Sequence, residues 1–175
     1  TDELFAAAHP EPPAGASQTP ESRRSKKAAD SAGLWSNAYG GSPPAGAANV
    51  WLLRYGQVPV AAYRAAALKT ADAYRSQEID LSQPIWPGTL GSAILLMLNA
   101  HALTKDEQYL QAAERFAEQG VKLFFAEGSP LPKASHQHDH YEAATNGDTL
   151  LMALLQLWQT RQRPNVNVPL FYCDR

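Results

Sequence analysis

From Val50 onward the apolar residues recur at helical spacing. Between Pro59 and Arg75, Val60, Tyr63, Ala67, Ala71 and Tyr74 fall three or four positions apart, with Arg64, Lys69, Asp72 and Arg75 off the stripe. This pattern predicts an amphipathic helix. Pro59 suits its first turn, where a missing N–H is not needed. Lys105 to Phe125 repeats the logic with Tyr109, Ala113, Phe116, Gly120 and Leu123. Thr104 is its expected N-cap, and Asp106 and Glu107 stand against the positive helix end. Two further segments, Gly88–Leu103 and Gly147–Trp158, are apolar nearly all round. A soluble helix of that kind must be surrounded by protein. The order is therefore outer, inner, outer, inner: two stacked helical hairpins whose second members lie inside.

The hairpins resemble copies of one another. Thr89-Leu90 aligns with Thr149-Leu150 at a spacing of 60 residues, and Tyr63 aligns with Tyr109 at a spacing of 46. A two-helix repeat of this length points to stacked hairpins. The two spacings differ by 14 residues, which places an insertion between the second outer and second inner helices, at "GSPLPKASHQHDHYEAATN". Long connections in compact helical domains are usually functional. The insertion lies at the mouth of a buried helix.

Before the helical region the rhythm is lost. Pro10, Pro12, Pro13, Pro20, Pro43 and Pro44 stand among many Ala, Ser and Gly residues. Residues 1–48 are thus expected to form an extended arm, 49–163 a helical-hairpin domain, and 164–175 a C-terminal tail. "SRRSKK" (Ser22 to Lys27) reads as a solvated basic linker, since no apolar stretch follows to make it an export signal. Trp35 and Tyr39 are candidate anchors that pin the arm to the body. A net charge of −2 gives no field for nucleic acid. No apolar run reaches the roughly 18 residues that span a bilayer. The single cysteine, Cys173, leaves the redox compartment open. A chain starting at Thr1 reads as processed, trimmed or part of something larger.

The run from "WPGTLGSAILLMLNAHAL" through "EQYLQAAERFAEQGVKLFF" to "PLPKAS" and "HYEAATNGDTLLMALLQLW" resembles the consecutive hairpins of (α/α) toroid proteins. More narrowly it is similar to domains of polysaccharide lyases, six-hairpin glycosidases and related bacterial secreted proteins. The resemblance spans Trp51 to about Trp158. It implies an all-α partial (α/α) toroid, an acidic polysaccharide as partner, and a secreted or periplasmic location. A whole toroid needs more hairpins than this chain holds, so another protein chain completing the array is the alternative partner.

Candidate chemistry gathers in the insertion. His136, His138 and His140 are two apart, so an extended loop would project all three imidazoles to one side. With Asp139 or Glu142 they are candidate ligands for a divalent metal. A lyase acting on a uronate must neutralise the sugar carboxylate, remove the neighbouring proton and protonate the leaving oxygen. His140, Tyr141 and Glu142 are the candidate catalytic residues for those steps. Trp86 at the mouth of the first inner helix, with His138, Arg54 and Tyr55, is a candidate for substrate binding. If hairpin mouths share one face, Trp86 and the histidine loop meet there. The structural alternative has Asn146 capping the inner helix, Asp148 favouring its N-terminus, Tyr141 packing under the loop, and His101 hydrogen-bonded in the core. Two function classes follow: a carbohydrate-active toroid domain, or a helical-repeat scaffold subunit without chemistry.

Overall fold

The computed structural model describes residues 33–35, 39, 41–163 and 166. The expectations for "SRRSKK", the rest of the arm, Cys173 and the tail beyond Val166 lie outside the described residues. Within them the chain forms five α-helices: α1 (Pro44–Gln57), α2 (Ala61–Ser76), α3 (Pro87–Thr104), α4 (Glu107–Phe124) and α5 (Gly147–Gln162), with one 3-10 turn (Ala143–Thr145) before α5. The all-α expectation holds over this span. Among the described residues no helix is long and apolar enough to cross a membrane.

The start of α1 corrects the expected boundary of the arm. Pro44 lies inside the segment read as extended, yet it occupies the first helical turn behind an extended Pro43. Ala45, Ala48, Asn49 and Leu52 are buried, a complete helical stripe in which two of the four residues are alanine. Small side chains blurred the periodicity in the sequence while allowing α1 to approach its neighbours closely. Trp35 anchors the chain ahead of it. The ring is 2% exposed and packs edge-on against Tyr74 (4.9 Å) and Phe116 (5.1 Å). The Tyr74 hydroxyl donates to the Leu34 carbonyl at 2.7 Å, and burial raises its pKa above the ordinary tyrosine range.

Helix α3 is the centre of the molecule and packs against all four other helices. Thirteen of its residues, from Pro87 to Ala100, are buried, as its uniformly apolar sequence requires. Inside this apolar contact sits one polar pair. Asn99 Nδ2 donates to Asn49 Oδ1, and Asn49 Nδ2 donates to the Ser92 carbonyl, both at 2.9 Å. A paired amide in an apolar interface fixes register, because sliding either helix would leave buried polar groups unmatched.

Helices α3 and α5 run parallel with their N-termini together. A Cβ on Gly88 would stand 2.6 Å from Asn146 Cβ, and one on Gly91 would stand 2.6 Å from the Leu150 backbone nitrogen. The contact advances in the same direction along both helices, from Gly88 to Gly91 on one and from Asn146 to Leu150 on the other. Only glycine permits this backbone approach. Helix α4 returns antiparallel, and Gly120 rests between the side chains of Leu90 and Leu150.

Two sequence expectations are corrected here. Asp106, not Thr104, caps α4: its carboxylate accepts the Gln108 N–H at 2.9 Å. Thr104 belongs to the last turn of α3, where its hydroxyl donates to the Ala100 carbonyl at 2.7 Å. Helix α5 is also not enclosed in the way its apolar sequence predicts. Leu150, Ala153 and Leu157 are buried, whereas Leu151, Leu155 and Trp158 are 38%, 49% and 53% exposed. It packs mainly on α3, so one side alone is covered by the described helices.

Candidate functional site

The connection from α4 to α5 has a fixed base and an exposed crest. At the base, Lys133 N–H donates to the Phe124 carbonyl at 2.7 Å and Ala134 N–H to the His140 carbonyl at 2.6 Å. Pro132, Ala134 and Ser135 are buried, whereas Gln137 to Tyr141 are exposed. Seating the ends in this way holds residues 133–140 in place without a helix or strand among them.

Within the loop, Ser135 to His138 make a tight turn, closed by His138 N–H on the Ser135 carbonyl at 3.3 Å. The Ser135 hydroxyl accepts the Gln137 N–H at 3.1 Å and lies 2.8 Å from His138 Nδ1. This corrects the extended loop with three imidazoles on one side. His136 turns inward, and its Nδ1 accepts the Ile85 N–H at 3.3 Å. His138 faces Ser135, while His140 Nε2 lies 3.8 Å from Glu142 Oε2. The rings of His138 and His140 are 6.1 Å apart, edge to face. Among the described residues no three His, Cys, Asp or Glu side chains converge as metal ligands. The three histidines do not fit one metal ion.

Asp139 is committed elsewhere. Its carboxylate sits 2.7 Å from Lys133 Nζ. The hydrogen bond and positive charge of Lys133 hold its pKa below the usual carboxylate value.

The mouth of α3 and the loop do share a face. His136 receives the N–H of the residue next to Trp86, and Trp86 occupies the N-cap position of α3. Tyr39 completes the junction. Its ring meets Trp86 edge to face at 5.5 Å, and its hydroxyl donates to the Glu142 carboxylate. Desolvation, then that hydrogen bond, then the negative charge of Glu142 raise the Tyr39 pKa. Trp86, Tyr39, Glu142, His140 and His138 thus form one connected surface. Tyr39 was legible only as an arm anchor. Its place over the loop depends on a contact distant in sequence.

Other candidates fall outside that cluster. Arg54 lies in the last turn of α1 and donates to Gln57 Oε1 at 3.3 Å. Tyr55 follows it on the same helix. Tyr141 is half exposed, with its ring edge over Gly147 beside Pro132. Asn146 holds the N-cap position of α5 but makes no side-chain cap. Its backbone is left-handed, at φ 55°, and its Cβ points to Gly88. His101 stands at the α3–α4 turn, 3.1 Å from Glu107 Oε1. Comparison with protein-family models, curated proteins and solved structures yields no match.

Proposed function

We propose that the chain is a carbohydrate-binding domain of the (α/α) toroid kind, with a polysaccharide strand lying on the face of Trp86, His138, His140 and Glu142. The observation that carries this reading is the meeting of an indole ring, a carboxylate and two imidazoles at the shared N-terminal end of α3 and α5. A sugar ring offers an apolar C–H face and a rim of hydroxyls. The indole suits the first, and the carboxylate and ring nitrogens suit the second. A secreted or periplasmic location goes with such a ligand.

Binding is favoured over lyase-type turnover. Turnover of a uronate requires a cation beside the sugar carboxylate and proton-transfer groups within reach of the sugar. The Lys133 ammonium is engaged by Asp139, and Arg54 donates to Gln57 on α1. His140 and Glu142 then serve as hydroxyl partners, with Tyr141 at the edge of the same face. The expected ligand is a hydroxyl-rich polymer, acidic or neutral.

Calorimetric titration with polygalacturonate and with a soluble neutral β-glucan tests the reading. Trp86→Ala should weaken binding about tenfold, equivalent to about 1.4 kcal/mol, while helicity stays unchanged. Equal affinity in wild type and variant would contradict it. Incubation with either polymer should give no rise in the ultraviolet absorbance of an unsaturated product.

A second reading has one observation of its own. Leu151, Leu155 and Trp158 form a continuous apolar stripe on α5, unlike the scattered apolar residues of an ordinary surface. We propose as the alternative a scaffold subunit whose helical array continues across α5 onto another protein chain. Sedimentation should then report a mass above the monomer that falls on combining Leu155→Glu with Trp158→Glu. A monomer in both proteins would argue against it.

A further inference from the structure

We propose that Tyr39 is a built-in occupant of the sugar site, which a pyranose ring must displace in order to bind. This rests on the carbohydrate-binding reading above. Three observations lead to it.

Tyr39 satisfies both recognition groups at once. Its ring packs on Trp86 at 5.5 Å and an interplanar angle of 85°, and its hydroxyl donates to Glu142. A pyranose held at the same place would present its C–H face to Trp86 and a hydroxyl to the same carboxylate. The two cannot use both groups together.

The residue is also weakly held for a tyrosine that bridges two partners. It is 56% exposed, so more than half of its surface is already in water. By contrast Trp35, four positions earlier, is 2% exposed and fixed between Tyr74 and Phe116. The chain is thus anchored firmly at Trp35 and lightly at Tyr39.

Finally, the groups beneath Tyr39 are fixed independently of it. Trp86 sits at the start of the buried α3, and Glu142 lies directly before the 3-10 turn, where its carbonyl accepts the Thr145 hydroxyl at 2.7 Å. Removing the tyrosine side chain should leave a formed site. The consequence is autoinhibition: apparent affinity is reduced by the fraction of molecules in which Tyr39 is out.

Titration of wild type, Tyr39→Ala, Tyr39→Phe and Trp86→Ala with polygalacturonate and with the neutral β-glucan tests this. If about one molecule in five has the site open, Tyr39→Ala should bind about fivefold tighter. Tyr39→Phe should gain less, since it loses only the hydroxyl contact. Melting temperature should barely change. Tightening with one polymer alone identifies its sugar as the ligand, and tightening with both assigns the common hydroxyl-bearing ring. Binding by Tyr39→Ala where wild type shows none also supports the proposal. It is overturned if wild type binds and Tyr39→Ala binds equally or more weakly, in which case Tyr39 is part of the platform and the binding reading survives. If no protein in the series binds either polymer, the binding reading falls and this proposal with it.

Discussion

Tyr109 stands where α4 meets α2. Its hydroxyl donates to Asp72 Oδ1 at 2.7 Å, and the Arg75 guanidinium lies 4.8 Å from its ring centre. Arg75 in turn bridges Asp72 and Asp106, each at 3.1 Å. Burial first, then the hydrogen bond and charge of Asp72, push the Tyr109 pKa up to about 12. The unfolded chain deprotonates this group near the ordinary tyrosine pKa of 10.0. The associated stability is therefore complete below pH 10 and is lost as pH rises from about 10 to about 12. Thermal melts across that range should show Tyr109→Phe losing less stability than wild type. Parallel losses would contradict the assignment. Tyr109 itself was readable as one member of a helical stripe. The histidine turn was not, because alternation in sequence puts side chains on one side only in extended backbone, and this segment turns. The usable signal was Ser135, whose residue type favours the first position of a turn and whose hydroxyl can receive the N–H two residues on.

Among the elements, those with strong period were placed well. The stripes of α2 and α4 lie largely where their spacing puts them, with Ala67, Ala71, Tyr74, Ala113 and Phe116 buried. The start of α2 differs, since Pro59 precedes the helix and Val60, expected in the stripe, is its exposed N-cap residue. Helix α1 is hard to see in sequence, because alanine, glycine and proline look like linker composition until a partner packs on them. The described helices enclose α5 less than its apolar sequence predicts, since such a sequence demands burial without saying by what. What the sequence could not give was the α3–α5 approach, which rests on two glycines meeting a backbone. Gly91→Ala should force α5 away from α3, because its Cβ would lie 2.6 Å from Leu150 N. A loss of about 1–3 kcal/mol is expected, read as a lower denaturation midpoint with similar helicity. An unchanged midpoint would mean that the two helices do not meet as described. In the loop, Asp139 titrates low because of Lys133. Lys133→Met should raise its pKa toward the ordinary carboxylate value in a carboxyl-carbon NMR titration, and no movement would exclude the pair.

At the scale of the whole molecule, one buried helix organises everything around it. Helix α3 sets α5 parallel and brings the Trp86 mouth beside the loop that precedes α5. That juxtaposition was expected from the repeat, and Tyr39 adds to it a contact that no local pattern contained. The function assigned to this face stands or falls on where a ligand touches the protein. The most direct measurement is two-dimensional amide NMR of the labelled protein, titrated with oligosaccharides from polygalacturonate and from the neutral β-glucan. Concentration-dependent shifts are expected at Trp86, Tyr39 and His138 to Glu142, with the α2 and α4 resonances unmoved. Saturating additions that leave those residues in place, or that move α5 around Leu155 and Trp158 instead, would contradict it.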